Sequence, residues 1–404
     1  MEPILRFKAD DGSDFSDWEK MTLGDVCVFV RNGYAYSSDG SRNHRYKLTR
    51  IESISGGVIN DEKLGSSDEI DPRYRLVDGD ILFSNINSLP YLGNVARYTN
   101  DLGEIYHGMN LLCIRPRANE MNSIFLFELL GTSRIRRYEI THAKAAVNQC
   151  SLPSSDVKAM SLYCPSLPEQ RKIADLLSAV DDVITTQEAE VAAWEKRKKG
   201  VMQKLFSQEV RFKADDGSDF PDWEEQKIED VCVLNPRTEQ LDDEFYYMDL
   251  GSIDHGRWEA PEIVNKVDAP SRAQRVAAID DVFFQSVRPY NMGHYHYVAA
   301  KDKQVVASTG YIQARMRNGS NAFLYQLFYE ERFNAEVNAR CTGSNYPAIN
   351  SRKFGEITVA LPSLPEQRKI ADCLSALDDV IIKAKNELAK WQELKKGLLQ
   401  QMFV

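Results

Sequence analysis

Two blocks of sequence occur twice, in the same order. Arg6-Phe7-Lys8-Ala9-Asp10-Asp11-Gly12-Ser13-Asp14-Phe15 returns as Arg211 to Phe220. The match continues through Asp17-Trp18-Glu19 and Asp25-Val26-Cys27-Val28, echoed by Asp222-Trp223-Glu224 and Asp230-Val231-Cys232-Val233. The second block, Pro165-Ser166-Leu167-Pro168-Glu169-Gln170-Arg171-Lys172-Ile173-Ala174-Asp175, returns as Pro362 to Asp372. Trp194 and Lys198-Lys199-Gly200 likewise return as Trp391 and Lys395-Lys396-Gly397. Between the blocks, residues 29–164 and 234–361 share only an echo. Gly79-Asp80-Ile81-Leu82-Phe83 resembles Asp280-Asp281-Val282-Phe283-Phe284, and Leu111 to Arg117 resembles Tyr311 to Arg317, both ending Arg-x-Arg. Two copies are too few for a solenoid, which needs about three or more. Matching ends around divergent middles read as a dimer written in one chain.

The second block predicts a long helix. Ser166-x-x-Glu169 and Ser363-x-x-Glu366 have the spacing of a capping box, with proline in the first turn. Apolar residues then alternate at four and three: Ile173, Leu177, Val180, Ile184, Val191, Trp194, Val201, Leu205 in one copy. The other copy reads Ile370, Leu374, Leu377, Ile381, Ala384, Leu388, Trp391, Leu398, Met402. This is a coiled-coil seam, interrupted by Gln187 and Lys198 and by Lys395. About 40 residues of helix span roughly 60 Å. The first helix runs directly into the second copy, and the second helix begins where that copy ends. Antiparallel pairing places that entry and exit at one end, so the helices are expected to run antiparallel with a head at each end.

The expected fold class is α+β. Two similar mixed α/β heads flank a long antiparallel two-helix coiled coil with internal pseudo-two-fold symmetry. The expected divisions are 1–164 for the first head, 165–206 for the first helix, 207–361 for the second head and 362–404 for the second helix. Within the heads, Gly79 to Phe83, Leu111 to Ile114 and Val305 to Ala307 read as strands, and Ser123 to Tyr138 and Ala322 to Arg340 as helices.

Of 404 residues, 43% are hydrophobic and 27% charged, a globular composition. No stretch approaches the roughly 18 apolar residues of a membrane span, and Met1 to Phe15 holds no signal-type apolar core. The seven cysteines are odd in number and never spaced Cys-x-x-Cys, so a reducing cytoplasm is the expected location. The net charge of −10 argues against indiscriminate binding to nucleic acid. The acidity is uneven, however. Residues 1–18 and 207–223 carry −3 each, whereas residues 19–163 are neutral, with 17 charges of each sign.

Recognisable catalytic motifs are missing. There is no Gly-x-Gly-x-x-Gly, no Gly-x4-Gly-Lys-Ser/Thr and no Gly-x-Ser-x-Gly. Asp222 and Glu225-Gln226-Lys227 form the nearest nuclease-like string, but its acidic residues are too close together and its counterpart at Asp17 does not keep the pattern. His294 and His296 sit two apart, as ligands on one strand face would, without an evident third.

The divergent middles instead favour arginine, 12 against 5 lysines in residues 19–163 and 10 against 5 in residues 224–360. Its planar fork suits guanine edges and phosphates. The clusters are Arg42, Arg45, Lys47 and Arg50; Arg134, Arg136 and Arg137; and Arg272 and Arg275. Beside them lie Asn85-Ile86-Asn87 and a loop holding Arg288, Tyr290, Asn291 and His294. Asparagine pairs with adenine edges, and arginine and tyrosine hold phosphates. Two readers on a stiff spacer would fix the separation of two half-sites, and unlike readers imply unlike half-sites.

The repeated Leu-Pro-Glu-Gln-Arg-Lys-Ile-Ala-Asp helix start, the Asp-Trp…Asp-Val-Cys-Val segment and the divergent middles resemble the specificity subunit of type I restriction-modification enzymes, over essentially the whole chain. The resemblance implies that each middle is a target recognition domain for one half of an asymmetric, bipartite duplex DNA site. It implies that the helices are the spacer and dock two modification subunits, with Ile173, Leu177, Val180, Ile184, Trp194, Ile370, Leu374, Leu377, Ile381 and Trp391 on the seam. Those partners would methylate adenine using S-adenosylmethionine, and two restriction and translocation subunits would use ATP and magnesium. The chain itself would be non-catalytic, with no metal and no membrane partner. The competing readings are a diverged metal-dependent nuclease and a two-headed tether that binds proteins.

Overall fold

A computed structural model describes residues 3–35, 45–146, 149–237, 240–254, 256–258 and 260–403. The chain forms two compact units, one of Met1–Glu188 with Asn386–Val404 and one of Ala189–Lys385. Each unit therefore takes one part of each long helix, Leu167–Phe206 and Leu364–Met402.

The first unit is built on an antiparallel sheet ordered Cys27–Asn32, Leu112–Pro116, Ile81–Phe83, Val95–Arg97. Side chains alternate across a sheet, and Ile81 and Phe83 bury into one core while Leu82 enters another. On the first face lie the helices Ser123–Leu130 and Ser133–His142. The sequence predicted one helix over this stretch. It breaks at Gly131-Thr132, where the Gly131 N–H turns to the carbonyls of Phe127 and Glu128. Among the described residues the second face carries small hairpins, Tyr46–Leu48 with Gly65–Ser67 and Ile54–Ser55 with Val58–Ile59.

The second unit repeats the framework: Cys232–Leu234, Tyr311–Met316, Val282–Gln285 and Tyr295–His296, again antiparallel. Helices Asn321–Leu327 and Glu331–Arg340 cover one face, split where one was predicted because Glu330 caps the second through Phe333 N (2.6 Å). The other face differs. It carries a second sheet ordered Glu262–Asn265, Glu244–Met248, Val305–Ser308, Ala273–Val276, whose middle pair is parallel. The framework is thus common to both units and the covering layer is not.

The repeated blocks meet each other inside each unit. Glu169, fully buried, takes both the Nε (3.1 Å) and Nη2 (2.8 Å) of Arg6. Glu366 takes Arg211 at the same two distances. Lys172 reaches Asp10 (2.5 Å) as Lys369 reaches Asp215 (2.6 Å). Gln170 accepts from Asn122 N and Gln367 from Ser320 N, satisfying loops that start the covering helices. The capping-box expectation is corrected here. The glutamates are spent on arginine, and the hydroxyls of Ser166 and Ser363 are buried without a partner. The Arg-x-Arg echo is also structural: Arg115 and Arg315 hold the buried Asp80 and Asp281, each at 2.7 Å.

In the first unit, Ile173 and Leu177 share a core with Met402 and Phe403, and Asp181 meets Lys395 (2.8 Å). In the second, Ile370 and Leu374 share a core with Met202 and Leu205, and Asp378 meets Lys198 (2.6 Å). Numbers rise along one helix as they fall along the other, so the pairing within each unit is antiparallel. The two lysines that interrupt the seam in sequence are its cross-links. Ile173, Leu177, Ile370 and Leu374 lie in the cores of their own units, and Val180 and Ile381 are buried as well, so these side chains are already packed by this chain. Ile184, Trp194, Leu377 and Trp391 are half-buried; Trp194 lies under the Arg197 guanidinium (4.9 Å).

Candidate DNA interface

In both units the middle strand of the sheet, Ile81–Phe83 or Val282–Gln285, feeds a loop that returns as the edge strand, Val95–Arg97 or Tyr295–His296. These loops, 84–94 and 286–294, belong to the divergent part of the sequence. Their rigidity decides what they present.

In the first loop, Asn85 is buried and gives its amide to the Leu152 carbonyl (3.3 Å). Asn87 donates to Ser84 Oγ (3.1 Å) and accepts from Ser88 N (2.9 Å). Both amides were expected at adenine edges; burial removes Asn85 from that role, and the Asn87 amide is engaged within the loop. Arg136 is corrected too. Its guanidinium lies under the loop, donating to the carbonyls of Leu89 and Leu92 and to Glu139 (3.0 Å). Burial pushes the Glu139 carboxyl up to about 7, with Arg136 opposing. A carboxyl raised on folding stabilises the fold below its unfolded value near 4.5, and that contribution is lost as pH rises to about 7. The loss amounts to about 3 kcal/mol for such a shift. Urea unfolding at pH 5 and pH 8 is expected to show this fall, and Glu139→Gln, which keeps an acceptor for Arg136, to flatten it. An unchanged slope in the variant would contradict the assignment.

The remaining first-unit candidates face outward to different degrees. Arg134 is half-buried with its guanidinium over Tyr163 (4.3 Å). Arg137 is exposed and lines a cavity of about 580 Å³ with Lys396, Gln400 and Phe403. Arg45 is exposed over Tyr46 (5.2 Å). Lys47 pairs with Asp61 (2.8 Å) with both side chains about half exposed, a contact weak enough to exchange for a phosphate. Arg42 lies outside the described residues.

In the second unit, Arg272, Tyr290 and Asn291 are exposed. Arg288 adopts a left-handed backbone (φ 51°) and stacks its guanidinium on Tyr346 (4.3 Å). Arg275 is half-buried and turns inward, its Nε donating to the Tyr311 carbonyl (2.8 Å). His294 is fully buried, stacked on Phe284 (4.3 Å between centroids), with Nδ1 accepting from Gln285 N. Burial lowers its pKa to about 3, so it is a neutral core group that does not face DNA. His296 instead meets Asp280 (2.7 Å).

A family model described as the type I restriction modification DNA specificity domain matches residues 15–193 and again 221–391. The chain belongs to this specificity family. A relative in Methanocaldococcus jannaschii, provisionally named the type I restriction enzyme MjaX specificity subunit, is 30% identical over 98% of this chain and 95% of its own length. The MjaVIII specificity subunit of the same organism is 22% identical over 96% and 92%. The specificity-family fold is matched by the S subunit of the M. genitalium type I restriction-modification system (17% identity, 100% and 99% coverage, TM-score 0.62). A chain from a type I R-M complex also matches (20%, 96% and 97%, TM-score 0.52). The resemblance drawn from the repeated motif is therefore upheld, and each family match spans one framework and its divergent middle.

Composition missed the braces beneath the two divergent loops. Arg136 was picked for its type, but a type does not say which way a side chain turns. The Arg6–Glu169 and Arg211–Glu366 pairs carried a signal, since all four residues sit in blocks that recur together.

Proposed function

We propose that this chain is the DNA-recognition subunit of a type I restriction-modification system, each unit reading one half of an asymmetric, bipartite site. The observation that carries this reading is the double family match over two units with one framework and unlike covering layers. A common framework serves a common task, and unlike surfaces serve unlike half-sites. The chain acts without catalysing. Two modification subunits bring S-adenosylmethionine and methylate adenine, and two restriction subunits bring ATP and magnesium. The exposed faces of the long helices, including half-buried Trp194 and Trp391, hold the modification subunits. Assembly takes place in the cytoplasm; among the described residues no helix is long and apolar enough to cross a membrane. The exposed basic and amide groups Arg45, Lys47, Arg137, Arg272 and Asn291 supply phosphate and base contacts.

Co-expression with the cognate modification subunit, followed by sequencing of methylated adenines, tests the reading. The expected outcome is one motif made of two unlike halves and a gap of fixed length. A single continuous motif would contradict it.

A further inference from the structure

The two specificity loops share one short pattern. Pro90-Tyr91-Leu92-Gly93 in the first unit corresponds to Pro289-Tyr290-Asn291-Met292-Gly293 in the second, with one extra residue. Both glycines are held from the end of the middle strand. Gly93 N donates to the Ser84 carbonyl (2.8 Å) at the end of the middle strand, and Gly293 N donates to Gln285 Oε1 (2.9 Å) at the end of its own. A side chain at either glycine would displace the end of a neighbouring side chain. A Cβ would lie 2.1 Å from Glu139 Oε2 at Gly93 and 2.3 Å from Gln285 Oε1 at Gly293. Each tip is also braced from below by different groups. Arg136 holds the Leu89 and Leu92 carbonyls, and the Tyr329 hydroxyl reaches the Met292 and His294 carbonyls at 3.3 Å.

What the braced tips hold out is a tyrosine. Tyr91 is 59% exposed and Tyr290 56%. Among the described residues only one other aromatic side chain is comparably exposed, Tyr346 at 65%, and it belongs to the second tip. It lies under the Arg288 guanidinium, and Arg288 N donates to the adjoining Pro347 carbonyl (2.7 Å). The exposed aromatic surface of the described residues is thus concentrated at these two places. The tip neighbours differ: Leu89 precedes the Pro-Tyr pair in one unit and Arg288 in the other. Under the bipartite reading, on which this inference rests, the half-sites differ as well. A residue kept while its neighbours change must meet what both half-sites have in common, which is the sugar-phosphate backbone.

We propose that Tyr91 and Tyr290 are matched, sequence-independent anchors, each donating its hydroxyl to a DNA phosphate while the differing tip residues beside it read bases. Rigid tips keep the ordering cost of such a contact low.

The test uses the full chain in complex with its modification subunit. Binding is measured at low salt to a short duplex carrying the mapped motif and to the same duplex with one half scrambled. Tyr91→Phe and Tyr290→Phe are each expected to weaken binding to both duplexes by about tenfold, the scale of a hydrogen bond to a charged group. The ratio between the two duplexes should stay unchanged. Because both rings are exposed, melting temperatures should match the wild type. Binding within twofold of wild type in both variants overturns the proposal. So does a loss confined to the motif duplex, which would make the tyrosines base readers. So does full binding by the Phe variants with loss only in Tyr91→Ala and Tyr290→Ala, which would mean stacking. A wild-type complex that binds both duplexes equally sinks the bipartite reading instead, and the loss in the Phe variants is then scored on either duplex alone.

Discussion

Replacing Lys395 by alanine is expected to destabilise the first unit by about 3 kcal/mol, while the matching change at Lys198 costs the second about 1 kcal/mol. The two lysines occupy corresponding places and each bridges to an aspartate of the facing helix, Asp181 or Asp378. Their third partners differ. Lys395 also binds Glu128 (2.9 Å), a carboxylate 6% exposed, whereas Asp378 is bound in the second unit by the neutral Gln326 (2.8 Å). Burial raises the Glu128 pKa and Lys395 holds it down. Burial works against charge on Lys395 as well, but Asp181 and Glu128 outweigh it and keep it above its ordinary value. Alanine at 395 leaves a buried carboxylate without a counter-charge, which is the costly way to break a buried pair. Alanine at 198 leaves Asp378, 30% exposed, with its amide donor and access to water. Native-state hydrogen exchange at helix Ser123–Leu130 reads the first cost, and at helix Asn321–Leu327 the second. Adding Glu128→Gln to Lys395→Ala gives the first unit the arrangement that Lys198→Ala leaves in the second, an aspartate with an amide donor, and should restore most of the loss. Equal costs in the two units, or no rescue, would contradict this account.

This asymmetry marks where the sequence is legible and where it is not. The repeated blocks are readable because they are one framework seen twice, and the same ion pairs join them in each unit. The alternating apolar strands and the four-three seam announce themselves through periodicity, which is a local property. What periodicity does not carry is the identity of a distant partner. Lys198 and Lys395 read as breaks in the seam because their aspartates lie on the other helix. Ser166-x-x-Glu169 reads as a cap because Arg6, which claims the glutamate, is far away in sequence. The same limit governs the interface. Asn85, Arg136, Arg275 and His294 have the residue types of DNA contacts, yet each turns inward to satisfy a backbone group, a carboxylate or a core. Tyr91 went unnoticed because the Pro-Tyr echo stands two residues out of step with the strand echo at Gly79 and Asp280. Its exposure depends on Arg136 and Glu139, which support the loop from a later helix.

The central claim is that each unit reads its half of the site by itself. The direct measurement is to replace residues 224–360 with the corresponding segment of another family member, keep both repeated blocks, and map methylated adenines in cells that supply the modification subunit. Because the framework contacts Arg211–Glu366 and Lys369–Asp215 lie outside the exchanged segment, the second unit keeps its attachment to the helix start. One half of the motif is expected to change completely, while the other half and the gap remain as in the wild type. A change in both halves, or retention of the original motif, would contradict the claim.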